Sequence, residues 1–290
     1  MKPGKLGVFT FTDGMDASAL AELPRRVEAL GYSTLWYPEA HAYESFALGG
    51  YLLSHSKKLI VGSGIANIYA RDPAAAAMGH NTLNALYGGR FVLGLGVSHA
   101  PIVGMRGHEY AQPVTTMRAY LDGIEAAWKA LNNVPAERHI VLAALGPKMT
   151  ALAGERTLGA FPYNVTPAQA AMARRVMPAG KAVICEQKVC LTTDAAAARK
   201  VAGANLGFYL RAPNYRNNWL RLGFTEADFA DGGSERILDA MVMWGDAKTL
   251  AAKLRPYFEQ GTDQLVIQPL RADGAPGPDW AALEALATLA

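Results

Sequence analysis

The chain has 290 residues, 51% hydrophobic and 18% charged, with a net charge of +3 from 28 basic and 25 acidic residues. That length can bury the core of one large α/β domain or two ordinary ones, and the even spread of charge excludes the basic runs of nucleic-acid binders. No apolar stretch approaches the roughly 20 residues that span a bilayer, and MKPGKLGVFT opens without a signal-peptide pattern; the expectation is a cytoplasmic protein with neither a membrane nor a nucleic-acid partner.

The first strand-like run is LGVFTF from Leu6. Beyond it Leu20, Leu23, Val27 and Leu30 recur at helical spacing, Asp16 can cap the start, and Gly31 can end the helix in the left-handed conformation. Pro24 removes an interior hydrogen bond, at about 3 kcal/mol, and predicts a kink or a late start. TLWYP from Thr34 and LIVGSGI from Leu59 are the next strands, and Asp72 with Pro73 marks the start of a helix over Ala74 to Leu86. The alternation continues through FVLGLGV from Phe91, a helix over Thr115 to Leu131, HIVLAAL from His139, and a helix over Lys148 to Leu158. AFPYNV from Ala160, a helix over Pro167 to Met177, AVICEQKVCL from Ala182, a helix over Lys248 to Phe258 and QLVIQPL from Gln264 complete it.

Eight such strands alternating with helices predict a closed, parallel (β/α)8 TIM barrel, one domain over residues 1–290. Nearly continuous apolar strands agree with burial on both faces. Two connections are oversized, Ser98 to Arg138 and Thr192 to Asp263, and insertions after barrel strands commonly build the active site. Cys185 and Cys190 lie five residues apart in one strand, on opposite faces, which speaks against a shared metal or a mutual disulfide. The competing doubly wound nucleotide fold finds only partial support: GSGIAN and GLGVSH each offer two glycines, with Asn67 and His99 where the third belongs. A metal-dependent barrel hydrolase lacks a paired-histidine ligand set on its first strand, and no metal site is expected.

The stretches LGVFTF, EALGYSTLWYPEAH, VGSGIANIYARDPAAAAMGHNTLNALYGGRFVLGLGVSHAP and LAALGPKMTALAGERTLGAF occur in this order. Together they resemble the bacterial luciferase-like flavin and deazaflavin oxidoreductases, with ALYGGRFVLGLGVSH the most specific part. SHAP and PNYRNN are similar to the branch of probable coenzyme F420-dependent oxidoreductases. The resemblance implies a barrel with an insertion, homodimers, a tricyclic redox cofactor over the C-terminal rim, and hydride exchange with a small organic substrate. Coenzyme F420 is the cofactor it favours, with FMN and an oxygen-activating monooxygenase reaction as the alternative; a non-catalytic flavin- or deazaflavin-binding barrel is a third reading.

By resemblance, the third strand ends in a non-proline cis peptide at Gly64 and Ile65 that meets the cofactor ring, with Asn67, Tyr69 and Arg71 facing cofactor or barrel mouth. The residues alone also allow Gly64 to end a strand and Asn67 to make a turn. Glu39 and His41 follow the second strand to the rim, where either can contact the ring or move a proton. His99, after Ser98 at the end of the fourth strand, stands where some relatives carry an acidic proton donor; proton transfer or a fixed loop hydrogen bond both suit it. LGPKM at Leu145 to Met149 is a strand end followed by a helix start, a setting suited to an anion. The resemblance implies that Leu145, Gly146 and Pro147, with Tyr163 and Asn164, bind the ribityl phosphate side of the cofactor, helped by Lys148. Trp36 and Tyr69 are expected to wall the substrate pocket, and His55, His80 and His139 have no evident role. The NYRNN string from Asn214 lines that pocket or packs as a helix end, and the residues leave both open.

Overall fold

The computed structural model describes residues 4–131 and 138–289. Residues 132–137, within the long connection that follows Ser98, lie outside the described residues, as do 1–3 of the N-terminal run and residue 290. The strands are β1 (Leu6–Phe9), β2 (Thr34–Tyr37), β3 (Ile60–Ser63), β4 (Ala66–Asn67), β5 (Phe91–Gly96), β6 (Ile140–Leu142), β7 (Gly159–Ala160), β8 (Ala182–Leu191), β9 (Val242–Gly245) and β10 (Gln264–Leu270). Parallel pairing runs β1, β2, β3, β5, β6, β7, β8, β10 and back to β1, where Leu6 pairs with Leu265, so eight strands close a barrel.

Helices cover the outside. Asp16 caps Ala17–Ala29, which is helical throughout and continues past the buried Pro24, so the expected late start does not occur. The helices Pro73–Leu86, Pro113–Ala130 and Pro147–Arg156 each begin at a proline, one or two residues before the sequence pattern places them. Proline is suited to the first turn, where its missing N–H would have no intrahelical partner. AFPYNV, in contrast, keeps only Ala160 in a strand, the short Gly159–Ala160; Phe161 still donates to the Leu142 carbonyl at 2.7 Å and the Pro162 carbonyl accepts from the Glu186 N–H at 3.2 Å before the chain passes on to the rim.

Side chains on one face of the strands pack beneath the helices, while Phe9, Trp36, Val92, Val141, Phe161 and Val266 fill the barrel interior. The connection after β8 holds a separate apolar cluster around Leu210, Trp219, Phe229 and Met241. β9 ends that insertion and pairs with the C-terminal half of β8, beyond the point where the short β7 stops. Cys185 belongs to the outer core and Cys190 to the insertion core; both are buried free thiols. Among the described residues no helix is long and apolar enough to cross a membrane.

Candidate active site

The site begins where the third strand is interrupted. Its ladder with β2 ends at Tyr37 and Ser63, Gly64 donates to the Tyr37 carbonyl at 2.6 Å, and the Gly64–Ile65 peptide is cis. Pairing resumes with β4 on β5, Ala66 opposite Leu95. Ser63 bridges the gap: its hydroxyl donates to the Gly94 carbonyl at 2.9 Å and accepts from the Gly94 N–H at 3.0 Å. A Cβ at Gly94 would collide with the Ser63 carbonyl oxygen, and one at Gly96 would meet the Ile65 side chain at 2.5 Å. The glycines of GLG therefore give clearance to the interrupted strand, which is why they resemble a nucleotide fingerprint without continuing as one.

Above this break lies a cavity of two lobes, about 440 and 410 Å³, at the C-terminal ends of the strands. Ile65, Ser98, His99, Phe161, Tyr163 and Tyr215 line both lobes. Leu145, Gly146, Pro147 and Lys148 line one end, and Glu39, His41, Gly64 and Asn67 the other. Such an elongated, aromatic-walled cleft with few polar groups has the size and lining of a cofactor site.

His99 is central to it. Ser98 before it adopts a left-handed conformation (φ 58°) that non-glycine residues seldom take, turning the chain off β5 so that the imidazole enters the cavity. The ring lies 5.2 Å from Phe208 and 5.7 Å from Tyr215 between centroids. Burial holds its pKa below the ordinary histidine value, and a hydrogen bond with Asn214 opposes that shift. Near neutral pH the imidazole is neutral and able to accept a proton. His41 is exposed at the outer rim, its backbone N–H donating to Asp13 at 3.2 Å.

The other end is electropositive. Gly146 caps Pro147–Arg156 with no side-chain partner, and Gly146 to Met149, the first turn of that helix, line the cavity end. Arg221 places a guanidinium nitrogen 3.7 Å from the position a Gly146 Cβ would occupy. A cation beside an uncapped helix start suits a phosphate. Sequence reasoning missed Arg221, which lies 75 residues away in the insertion helix Pro213–Arg221. That same helix contains NYRNN and does both things the pattern allowed: Tyr215 lines the cavity, while Asn218 is buried and donates to Gln169 at 3.1 Å.

Behind the Tyr163 wall lies a second missed group. Glu186 and Lys188, on the inward face of β8, form a buried ion pair at 3.1 Å. Asn164 ties the pair to the rim: its N–H donates to Glu186 at 3.1 Å, its side-chain oxygen accepts from Lys188 at 2.5 Å, and its carbonyl accepts from Trp219 at 2.8 Å. Asn164 thus stands behind the wall rather than in the cavity, and Tyr163 alone of that pair faces it. Burial raises the Glu186 pKa and lowers that of Lys188, an effect their mutual attraction opposes. The Tyr163 hydroxyl donates to Gln268 at 3.0 Å, and burial keeps it protonated.

Three other expectations need correction. Trp36 points down the barrel, 4.7 Å from Phe161, and lines a cavity at the opposite end because β2 turns that side chain inward below the rim. Tyr69 packs on His108 at 5.6 Å, outside both lobes. Arg71 turns from the mouth to Glu39.

A closed parallel barrel with an aromatic-lined cleft at the C-terminal ends of its strands places that cleft where barrel enzymes carry their active sites. The chain belongs to the luciferase-like monooxygenase family, whose model matches residues 3–264. It is an enzyme of the oxidoreductase class. A protein of Mycobacterium tuberculosis provisionally assigned as a coenzyme F420-dependent oxidoreductase is 28% identical, over 85% of this chain and 89% of that one. Among solved structures, an F420-dependent secondary alcohol dehydrogenase in complex with an F420-acetone adduct shares the fold with a TM-score of 0.77 at 15% identity, covering 99% of this chain and 98% of that chain. The oxygenating constituent of 3,6-diketocamphane monooxygenase from Pseudomonas putida, in complex with FMN, does so with a TM-score of 0.73 at 15% identity, covering 98% and 97%.

Proposed function

We propose that this single barrel domain, residues 1–290, exchanges a hydride between coenzyme F420 and a small organic substrate. The observation that carries the reading is the continuity of one cleft from the Gly64 and Ile65 wall to the uncapped helix start at Gly146. A rigid tricycle with a phosphate-bearing tail needs both features in one cavity. Ile65 and Gly64 would meet the ring, Tyr163 would flank it, and Leu145, Gly146, Pro147 and Lys148 with Arg221 would hold the phosphate side. When bound, the deazaflavin supplies the carbon that takes or returns the hydride.

The chain's own task is placement and proton movement. His99, neutral by burial, accepts the proton released when an alcohol-like substrate is oxidised and returns it in the reverse direction. Its contacts with Phe208 and Tyr215 fix the ring and shield it from water. His41 is the reserve proton carrier at the outer rim, and Glu39 and Asn67 hold the cavity wall rather than the ligand. The relative assigned to coenzyme F420 supports this cofactor, while the FMN-bound neighbour supports the second reading, an FMN-dependent monooxygenase. We place the enzyme in the cytoplasm as a homodimer; exposed Met78 and Leu86 on the helix Pro73–Leu86 support the pairing of two copies.

The test is incubation with coenzyme F420 or FMN, removal of free ligand by dialysis, and an absorbance spectrum. Retention of F420 with reduction on adding a secondary alcohol supports the first reading. Retention of FMN alone favours the second, and retention of neither rejects both.

A further inference from the structure

Glu39 follows β2 to the rim, yet its carboxylate is fully engaged within the protein. Arg71 holds both carboxylate oxygens, with Nη1 3.0 Å from Oε2, and the side chains are only 6% and 8% exposed. The Asn67 N–H donates to Oε2 at 2.8 Å and the Ser45 N–H to Oε1 at 3.4 Å. Arg71 also donates to the Asn67 carbonyl at 3.3 Å and to Glu44 at 2.9 Å. The Glu39 N–H donates to the Ile65 carbonyl at 3.2 Å.

Both backbone polar groups of Asn67 are thus met by the side chains of Glu39 and Arg71, the carbonyl also accepting from the Ala70 N–H at 3.1 Å, while the Ile65 carbonyl is held by the backbone of Glu39. The other edge of the same segment is held by β5. The assigned ladder stops at Tyr37 and Ser63, one further backbone bond joins Glu39 to Ile65, and the ion pair holds the chain at Asn67 beyond it. Arg71 is itself anchored: Tyr120 donates to its carbonyl at 3.0 Å, and its guanidinium lies 5.2 Å from the Phe46 ring.

We propose that Glu39 and Arg71 are positioning residues whose side chains set the Ile65 wall of the cavity, acting through the backbone of Asn67, two residues on, rather than on a ligand. The proposal rests on the reading that a planar cofactor packs against Ile65, and its test has a part that needs no cofactor. In Glu39→Gln, Arg71→Met and Arg71→Lys, hydrogen–deuterium exchange is followed by mass spectrometry on peptides covering residues 64–70 and 91–96. The expected result is at least tenfold faster exchange at 64–70 with little change at 91–96. Arg71→Lys should fail to rescue, because an ammonium cannot serve two carboxylate oxygens and a carbonyl as a planar fork does.

Unchanged exchange at 64–70, or an equal rise across the barrel, overturns the proposal. Dissociation constants for F420 and FMN, measured on the same variants, should weaken at least tenfold, with a displaced absorption band of the bound ring. Loosening at 64–70 with unaltered affinity and band also overturns it. If the unsubstituted protein binds neither compound, the cofactor reading fails by itself, and exchange at 64–70 alone decides whether the ion pair sets this wall.

Discussion

The Lys188 ammonium sits 3.9 Å from the centre of the Tyr163 ring, so one wall of the cavity rests on a buried cation. Glu186 and Asn164 complete its coordination. Removing one member of such a pair leaves the other charged and unpaired in the interior, which costs about 3–5 kcal/mol, whereas removing both can cost little. Lys188→Met or Glu186→Gln should therefore each lower stability by about 3–5 kcal/mol. The double variant should recover much of the loss. Urea unfolding followed by circular dichroism measures this, and losses that simply add would contradict a coupled pair.

For His99, the substitution His99→Gln should leave the cofactor bound and slow turnover by about 10²-fold, the scale of a lost general base. Single-turnover rates with cofactor prebound are the measurement. The rate of substrate oxidation in the unsubstituted enzyme should fall as acid protonates the imidazole, with a midpoint below the ordinary value of 6.5 because burial disfavours the charged ring. A rate unchanged in His99→Gln would move the proton-transfer assignment to His41.

At the helix start, Arg221→Ala should weaken FMN about tenfold or more, the effect of losing one charge-assisted hydrogen bond, while riboflavin binding stays the same. The comparison isolates the phosphate, since the two ligands share the ring. Equal weakening of both would show that Arg221 shapes the pocket without meeting the tail.

His80 gives a prediction for stability against pH. It is fully buried against Trp128, and burial lowers its pKa from 6.5 to about 4. Above 6.5 the ring is neutral in both states and the contribution is fully present. As the pH falls from 6.5 towards 4 the unfolded chain binds a proton that the folded chain refuses, so stability drops, by roughly 3 kcal/mol at the acid end. His80→Gln should flatten this part of the pH profile in denaturant titrations. An unaltered slope would assign the acid loss to other groups.

Met78 is 55% and Leu86 70% exposed on one helix, an arrangement that fits a covered face. Met78→Asp should shift the protein towards monomer in sedimentation velocity, with the far-ultraviolet spectrum unchanged. A monomeric unsubstituted protein would remove the homodimer from the proposal.

Local periodicity was enough to determine the alternation of strands and helices, and hence the barrel, because strand and helix faces are written at spacings of two and of three to four residues. Pro73 and Pro147 likewise announced helix starts whose chemistry is local. Gly64, Ile65, Ser98, His99 and the Leu145 to Pro147 turn were legible as rim residues, since a strand's C-terminal end in a parallel barrel has only one place to go. What remained hidden depends on contacts between distant segments. Glu39 meets Arg71 across 32 residues, and Arg221 reaches Gly146 only because the insertion folds back over the rim. Trp36, read as a pocket wall, and Lys188, unnoticed in an apolar run, exchanged significance for the same reason. Alternation says that a side chain points into the barrel, but its height along the barrel axis follows from the register of all the strands together, and only closure decides whether it meets the core or the floor of the cavity.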